Sequence, residues 1–352
     1  MKHQSDILAL KYRPKDFSDL IGQEYLVDTI QKSIQLNKIP NAYIFTGIRG
    51  VGKTTTARIV AKMLNCTAFD NSNKPDLLNC EQAKAITEDR HPDVIEIDAA
   101  SNTSVENARE IIENVKYNPV LGKYKVYIID EVHMLSKSAF NALLKTLEEP
   151  PPHSKFIFAT TEISKVPITI LSRCQRFDLR RIDKKVLSLF LENIANKENI
   201  LIEKEALNLI VKSSDGSVRD ALSILDQANV FKLEETIKTE EIINMLGYSK
   251  LSDLYDLSKN ILENNLTDLI SKLETMYQRG SETSKILEDL MNIINWSCKL
   301  KINSNLMKDE FLTEDDKNFA SYVTQYDHGK LNIFWQSLIK GYDEIKISPH
   351  PH

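Results

Sequence analysis

The chain has 352 residues, of which 42% are hydrophobic, enough for two or three domains with apolar cores. No apolar run approaches the length of a membrane span and no secretory signal opens the chain, so the sequence predicts a cytoplasmic location. The net charge of −5 argues against a uniformly basic nucleic-acid-binding protein, while a local basic surface stays compatible with it.

The segment at residues 8–23 is expected to wrap the base of a nucleotide. Pro14 forbids a continuous helix through it, and the adjacent Tyr12 and Arg13 are candidate nucleotide contacts. A helix over Glu24–Gln35 follows, because leucine and isoleucine recur there at helical spacing. The first strand of an α/β core is then expected to begin at residue 42.

Residues 47–54, GIRGVGKT, form a complete phosphate-binding loop between that apolar strand and a helical pattern from about Thr54. Its glycines let consecutive N–H groups point inward, and the helix adds the positive end of its dipole. In that geometry Lys53 reaches the β- and γ-phosphates and the Thr54 hydroxyl ligates Mg²⁺. The candidate nucleotide-binding residues of the loop are Gly47, Gly50, Gly52, Lys53, Thr54 and Thr55.

A second strand is predicted over Val94–Asp98, followed by a helix that continues to Val115. Ser101, Thr103 and Ser104 stand before this helix, and each is a residue type that caps a helix N-terminus. The sequence leaves open which of the three is the cap.

The apolar run at residues 126–133 contains two carboxylates, Asp130 and Glu131, near its end. Parallel strands end at the same edge of a sheet, so Asp130 is expected to support Mg²⁺ and Glu131 to polarise the attacking water. Another apolar strand, residues 156–161, ends in hydroxyls and places Thr161 to sense the γ-phosphate.

The last predicted strand of the core covers residues 175–179, and Arg173 lies just before it. Beyond it the pattern becomes purely helical, with a three-helix unit and then a further all-helical region. The predicted domains are residues 1–181, 182–245 and 246–347, followed by a tail at 348–352.

These motifs together resemble one family, the ATPase subunit of the bacterial DNA polymerase III clamp loader of the gamma/tau type. The resemblance covers residues 8–231 well, whereas the last hundred or so residues resemble the family only in helical character and length. The motifs that carry it lie at residues 12–14, 17, 19–23, 47–54, 96–101, 130–135, 140–151, 171–174 and 216–222.

The resemblance implies an α/β fold with a parallel-sheet AAA-type ATPase domain, a small helical lid and an all-helical collar. It implies the use of ATP and Mg²⁺ by a subunit that joins other clamp-loader subunits in a five-membered ring. The ring would open the sliding clamp and place it on primer–template DNA. Because no long extension follows residue 352, the chain is expected to be gamma-like rather than tau-like.

The resemblance also implies residue roles. Lys53 and Thr54 are the phosphate and Mg²⁺ ligands, Asp130 supports the metal, Glu131 is the base and Thr161 is the γ-phosphate sensor. Arg219 is the nucleotide-contacting arginine of the lid, and Arg173 is an arginine finger that acts on ATP in the neighbouring subunit. Without the motif context, Arg173 would be interpreted as a surface ion pair and Arg219 as a helix-surface charge.

DNA contacts are implied at Asn102, Thr103, Ser104 and Lys145, which stand where family members turn donors toward template phosphates. Such binding is independent of base sequence and sensitive to salt. Ordinary helix caps and a solvated lysine explain the same four residues equally well.

One departure from the family concerns zinc. The family carries a four-cysteine zinc module after the phosphate-loop helix, but only Cys66 and Cys80 match it here, and no Cys-x-x-Cys pair exists in the chain. Tetrahedral zinc needs four ligands, so we expect no bound zinc, although His91 and Asp76 are two further conceivable ligands. Residues 70–75 are interpreted as an exposed loop.

Two other functions remain as alternatives to an ATP-driven clamp-loading motor. One is a nucleotide-binding ring scaffold with little hydrolysis, for which the full set of catalytic residues has no physical need. The other is an AAA-type helicase loader or branch-migration motor, which would act on DNA without a clamp.

Overall fold

The computed structural model describes residues 7–68, 75–77, 79–246, 251–278, 282–303 and 314–347. Contacts divide the chain into two compact units, the first containing residues 1–199 and 210–227 and the second containing residues 200–209 and 228–352. The tail at 348–352 and most of the predicted loop at 70–75 lie outside the described residues.

Helices and strands alternate through the first half of the chain. In chain order they are α1 (Leu8–Lys11), α2 (Glu24–Gln35), β1 (Ala42–Thr46), α3 (Lys53–Asn65), α4 (Glu81–Thr87), β2 (Val94–Asp98), α5 (Val105–Val115), β3 (Lys125–Asp130), α6 (Lys137–Glu148), β4 (Ser154–Thr160), α7 (Ile168–Leu171) and β5 (Gln175–Asp178). Short 3-10 helices cover Phe17–Asp19, Val132–Met134 and Ile163–Lys165.

The second half of the chain is almost entirely helical. It contains α8 (Lys184–Lys197), β6 (Leu201–Ile202), α9 (Lys204–Ser213), α10 (Val218–Phe231), β7 (Thr236–Ile237), α11 (Thr239–Met245), α12 (Leu251–Glu263), α13 (Leu266–Gln278), α14 (Thr283–Ile302), α15 (Glu314–Val323) and α16 (His328–Ile347).

The central sheet has five parallel strands in the order β2-β3-β4-β1-β5. Its register sets Thr46 at the end of β1 beside Thr160 of β4 and Asp178 of β5, while Asp98 of β2 lies beside Asp130 of β3. The carboxyl ends of the strands therefore meet at one edge, where ligands of open α/β sheets bind.

Alternate side chains of the strands enter two apolar layers, one on each face of the sheet. On one face, Tyr43 and Phe45 of β1 pack in a cluster with the apolar residues of α2 and α3. On the other face, Ile44 belongs to a cluster with the apolar residues of α5 and α6. Because β1, β3 and β4 are buried on both faces, their central residues form continuous apolar runs, as the sequence predicted.

The predicted α/β fold with a parallel sheet and helical regions after it is confirmed, with differences in detail. β4 begins two residues before and ends one residue before the predicted 156–161, and β5 ends at Asp178, one residue early. The phosphate-loop helix begins at Lys53, one residue early, and the run at 126–133 ends as a strand at Asp130. The region after residue 181 is not purely helical, because β6 and β7 form a short parallel pair. Two-residue strands are too short for an alternating pattern to predict them.

The second unit contains a helical core built by α12, α14, α15 and α16. Leu257, Ile294 and Leu331 are fully buried at its centre. No helix among the described residues is both long enough and apolar enough to cross a membrane.

Candidate functional site

The phosphate loop connects β1 to α3 at the carboxyl edge of the sheet. Gly50 and Gly52 have φ angles of 74° and 103°, in the left-handed region that favours glycine. A Cβ on Gly50 would collide with the hydroxyl of Ser217, which lies just before α10. The backbone curvature predicted for this loop is therefore present, and its glycines are required by conformation and by close packing.

Lys53 is held by the loop itself. Its Nζ lies 3.1 Å from the carbonyl oxygen of Gly47 and 2.9 Å from that of Ile48, and only 6% of the residue is exposed. Burial lowers the pKa of Lys53, while the carboxylates of Glu131 and Asp130 act in the opposite direction. Lys53 thus lies close enough to Asp130 and Glu131 for the two carboxylates to favour its charged form.

Thr54 and Asp130 are in direct contact across the site. The Thr54 Oγ1 donates to Asp130 Oδ2 at 2.5 Å, and the other carboxylate oxygen of Asp130 accepts the Glu131 N–H at 2.9 Å. A hydroxyl and a carboxylate are the hard oxygen ligands that Mg²⁺ prefers, so this pair fits a magnesium ion bound together with phosphate oxygens.

Glu131 adopts an unusual backbone conformation, with φ of 45° directly after β3. Its Oε2 accepts hydrogen bonds from the Thr161 hydroxyl at 3.1 Å and from the Thr161 N–H at 3.3 Å. The predicted base and the predicted phosphate sensor are therefore joined to each other.

His133 is a site residue to which the sequence analysis assigned no role. Its side chain is 6% exposed, with Nδ1 3.0 Å from Thr160 Oγ1 and 3.4 Å from Glu131 Oε2. Its Nε2 lies 3.5 Å from Glu162 Oε1. The one available signal was a histidine three residues after Asp130, and that spacing alone does not distinguish it from a packed core histidine.

Two arginines approach the loop from other segments. The Arg13 Nε donates to the Thr55 hydroxyl at 3.2 Å, and its pKa is lowered by burial, by Arg58 and, to a smaller extent, by Arg219. The backbone N–H of Arg219 donates to the carbonyl oxygen of Gly50 at 3.2 Å, whereas its side chain is exposed. The start of α10 is thus bonded to the phosphate loop.

Comparison with family models divides the chain into three matches. Residues 22–183 match a model described as DNA polymerase III, delta subunit, and residues 187–231 match the DNA polymerase III clamp loader subunit, ATPase lid domain. Residues 237–352 match the model for domain III of the DNA polymerase III subunits gamma and tau.

Similar proteins match nearly the whole chain. The DNA polymerase III subunit gamma of Buchnera aphidicola subsp. Schizaphis graminum is 38% identical over 344 residues, covering 98% of this chain and 94% of that protein. The chain belongs to the gamma/tau family of DNA polymerase III subunits. Subunit tau of Salmonella typhimurium is 37% identical over 97% of this chain and 53% of its own length. The chain thus spans about half the length of the tau relatives it matches.

The Thermotoga maritima RuvB Holliday junction branch migration motor is similar in fold to this gamma/tau family chain. That structure has a TM-score of 0.50 and 19% identity, and the similarity covers 75% of this chain and 85% of RuvB. At that identity the likeness concerns the fold alone, in agreement with the AAA-type parallel sheet predicted from the motifs.

Arg173, the predicted arginine finger, contacts the last residue of α6 and residues in and just after α7. Its guanidinium forms an ion pair with Glu148 and donates to the Thr169 carbonyl at 2.6 Å and to the Ser172 hydroxyl at 3.1 Å. A finger that acts on a neighbouring subunit has to be presented at the surface, and about a third of the Arg173 side chain is exposed. These contacts equally fit the surface ion pair considered above.

Tyr12 of the family motif Tyr-Arg-Pro makes its contact with Glu198 at the end of α8. The tyrosine hydroxyl donates to that carboxylate, which also binds the Lys11 ammonium at 2.8 Å. The hydrogen bond to Glu198 raises the pKa of Tyr12. The structure thus brings Arg13 to the loop and ties Tyr12 to α8.

The four candidate DNA contacts occupy two places. Asn102 donates to the Asp98 carbonyl oxygen at 3.0 Å, and the Thr103 carbonyl oxygen accepts the Ser136 N–H at the start of α6. Ser104 directly precedes α5, the cap position among the three proposed from the sequence. Lys145 is exposed on α6, about 13 Å along the helix from Ser136 at 1.5 Å per residue.

The two cysteines that match the family zinc module are both buried. Cys66 Sγ donates to the Ala68 carbonyl at 3.1 Å, and burial together with a hydrogen bond to Cys80 raises its pKa to about 12. Burial also acts to raise the pKa of Cys80, but the Ala83 N–H and the Cys66 thiol bring it down to about 7. The Cys66 thiol thus stabilises the thiolate form of Cys80.

The two further conceivable ligands are engaged with other partners. His91 lies 2.6 Å from Gln82 Oε1 through Nε2, and its Nδ1 accepts the Asp93 N–H at 3.1 Å. Asp76 accepts both the backbone and the side-chain N–H groups of Asn79. Within the described residues, whose gaps include 69–74 and 78, no three histidine, cysteine or acidic side chains cluster as metal ligands. The expectation of no zinc stays a prediction.

Proposed function

We propose that this chain is an ATPase subunit of a replicative clamp loader, which binds and hydrolyses ATP to open the sliding clamp and place it on primer–template DNA. The observation that carries the proposal is the meeting of Lys53, Thr54, Asp130 and Glu131 at one edge of the sheet. Family membership narrows the general class of phosphate-loop proteins to the DNA polymerase III subunits.

Binding of the triphosphate is assigned to the loop and its surroundings. The backbone N–H groups of residues 47–54 and the start of α3 attract the phosphates, and the buried Lys53 adds a full positive charge. We assign the remaining nucleotide contacts to Arg13 and Arg219. The hydrogen bonds of the Arg13 side chain to Thr55 and of the Arg219 N–H to Gly50 support this assignment. Mg²⁺, when bound, neutralises charge on the β- and γ-phosphates, and Thr54 and Asp130 are the residues that would hold it.

Hydrolysis is assigned to Glu131 and Arg173. Glu131 accepts a proton from the attacking water, and Thr161 contacts the γ-phosphate. Arg173 acts on the triphosphate of an adjoining subunit, so that turnover requires the assembled complex. We extend this to a five-membered ring with other clamp-loader subunits, in a cytoplasmic protein with an ATPase domain at 1–181, a lid at 182–245 and a collar at 246–347.

DNA binding is assigned to Asn102, Thr103, Ser104 and Lys145. The first three lie at the start of α5, where a helix N-terminus can bind phosphate without reading bases. Replacing the exposed Lys145 with alanine is expected to weaken DNA binding at low salt and to reduce its salt dependence.

The decisive experiment measures ATP turnover of the chain reconstituted with the other clamp-loader subunits, the sliding clamp and primed DNA. Arg173→Ala is expected to lower turnover in the complex by about 10³ to 10⁵, with ATP affinity of the isolated chain unchanged. Arg90→Ala is the matched control, because Arg90 is also an exposed arginine in an ion pair. Loss of ATP affinity in isolated Arg173→Ala protein would contradict action on the neighbouring subunit.

The same assay separates the alternatives. Stimulation by primed DNA with no added effect of the clamp would favour a helicase loader or branch-migration motor. ATP binding without turnover in the full complex would favour the scaffold. An isolated chain that turns over ATP as fast as the complex would refute the proposal that Arg173 of an adjoining subunit completes the site.

A further inference from the structure

A buried imidazole lies between the end of β4 and the turn after β3. His133 follows Glu131 by two residues, and its Nδ1 faces both Glu131 Oε2 and the hydroxyl of Thr160, the last residue of β4. The Thr160 hydroxyl in turn accepts the N–H of Glu162 at 3.0 Å. The imidazole therefore spans the gap between the element that carries the proposed base and the one that carries the proposed sensor.

The two carboxylates near the imidazole differ in their other partners. Glu162 is 46% exposed in its side chain and has an ion pair with Lys165 at 2.8 Å. Glu131 is less exposed, and its Oε2 receives the two hydrogen bonds from Thr161. An N–H at Nδ1 faces the Thr160 hydroxyl at 3.0 Å and Glu131 Oε2 at 3.4 Å, whereas Glu162 lies on the Nε2 side. No lysine ammonium is paired with Glu131 Oε2 within the described contacts.

The donors available to Glu131 change when Thr161 performs its proposed task. A hydroxyl has one proton to donate, so Thr161 Oγ1 cannot donate to Glu131 Oε2 and to a phosphate oxygen at the same time. Once that proton turns to the phosphate, the donors left near Oε2 are the Thr161 N–H at 3.3 Å and, in the tautomer protonated at Nδ1, the His133 ring N–H with Nδ1 at 3.4 Å. The imidazole thus matters most at the moment when the base is needed.

We propose that His133 is a positioning residue for Glu131: its Nδ1–H, together with the Thr161 N–H, keeps one carboxylate oxygen fixed so that the other can accept the proton of the attacking water. The proposal rests on the function proposed above, in which Glu131 is the base. His133 itself contacts neither nucleotide nor water in this role. Its effect is therefore expected in the rate of the chemical step and not in ATP affinity.

Three substitutions of His133 separate a positioning role from a packing role. His133→Asn keeps an N–H donor near the place of Nδ1, His133→Gln moves the donor toward the place of Nε2, and His133→Ala removes it. Single-turnover hydrolysis in the reconstituted complex is expected to fall by about ten- to a hundredfold with Gln and Ala, and by less than about threefold with Asn. The dissociation constant for ATP should stay within about twofold in all three.

His153→Ala is the matched control. His153 precedes β4 at the opposite end of the same strand, where its Nε2 lies 3.1 Å from the carbonyl oxygen of Val115, away from the loop. We expect this variant to hydrolyse ATP at the wild-type rate. Thermal unfolding of every variant reports whether a loss of rate reflects a loss of folded protein, and if the alanine variant does not fold, the Asn and Gln pair decides the question.

A double-mutant cycle tests whether His133 acts through Glu131. In a Glu131→Gln background, His133→Ala should cause no further loss of single-turnover rate. An equal fold-loss in both backgrounds, a weakened affinity for ATP, or wild-type rates in His133→Ala and His133→Gln would each overturn the proposal. If the wild-type complex does not hydrolyse ATP, or if Glu131→Gln is as fast as wild type, the proposed function itself fails.

Discussion

Asp93 holds the loop at residues 120–122, and we expect its substitution to lower the stability of the first unit. It is 1% exposed, and its carboxylate accepts three backbone N–H groups at 2.7 Å each, from Val120, Leu121 and Gly122 in the loop between α5 and β3. Asp93→Asn keeps the shape but replaces one acceptor by an N–H donor and removes the charge. The loop should lose its attachment without a change in core volume.

The magnitude follows from the three contacts. A hydrogen bond to a charged group contributes about 1.5 to 3 kcal/mol and a neutral one about 0.5 to 1.5 kcal/mol. Asp93→Asn loses one bond and weakens two, and the loop residues are exposed enough for water to replace part of the loss. We therefore expect the free energy of unfolding of this unit to fall by about 3 kcal/mol.

The effect should also depend on pH. Burial acts to raise the pKa of Asp93, but the N–H groups of Gly122, Val120 and Leu121 outweigh it and hold that pKa below its ordinary value. A lowered carboxyl pKa stabilises the folded state above the unfolded pKa, about 3.9, and this contribution is lost as pH falls through the folded pKa. The difference between Asp93→Asn and wild type should therefore shrink below about pH 4.

Amide hydrogen exchange at residues 120–122 is the local assay, supported by urea unfolding at pH 7 and pH 3. Asp98→Asn is the control, because Asp98 ends β2, the strand that Asp93 directly precedes. The Asp98 side chain is exposed and accepts the Ala100 N–H. Its effect is expected to stay within about 0.5 kcal/mol. Unchanged exchange at residues 120–122 in Asp93→Asn at pH 7, or a penalty equal at both pH values, would refute the reasoning.

Three further outcomes are expected. Lys53→Ala removes a buried cation whose contact with the phosphates contributes about 3 kcal/mol, so ATP binding should weaken about a hundredfold. An equilibrium titration measures this, and an unchanged affinity would exclude a phosphate-binding role for Lys53. Glu131→Gln should bind ATP normally and hydrolyse it slowly, because an amide cannot accept the proton of the attacking water. The assay measures the ATP retained on the protein, and fast turnover would exclude Glu131 as the base. Tyr127→Phe should leave the free energy of unfolding unchanged or raise it by about 1 kcal/mol, because the buried Tyr127 hydroxyl has no hydrogen-bond partner among the described residues. A fall in the free energy of unfolding of more than about 1 kcal/mol would contradict this.

The parts of the fold that the sequence predicted are those in which local pattern and burial agree. The apolar run that begins at residue 156 was a sufficient signal for a central strand, although β4 covers Ser154–Thr160 and not the predicted 156–161. The phosphate loop was predictable because its glycines, lysine and threonine each meet a separate requirement of phosphate binding.

The parts that could not be predicted depend on side-chain contacts between distant segments. The bonds from Thr161 to Glu131 join residues thirty positions apart, and no local pattern encodes them. The left-handed backbone of Glu131 is unusual for a glutamate and has no composition signal. The role of His133 depends on both, and it became visible only when the ends of β3 and β4 were placed side by side.

The bond between the Arg219 N–H and the Gly50 carbonyl oxygen joins α10 to the phosphate loop through main-chain atoms only. Any residue except proline supplies that N–H, so this joint tolerates drift at position 219 even where the arginine side chain is lost. A chain with another residue at position 219 would therefore keep this hydrogen bond between α10 and the loop. The attachment of α10 to the phosphate loop and the chemistry of the side chain at position 219 can thus change independently of each other.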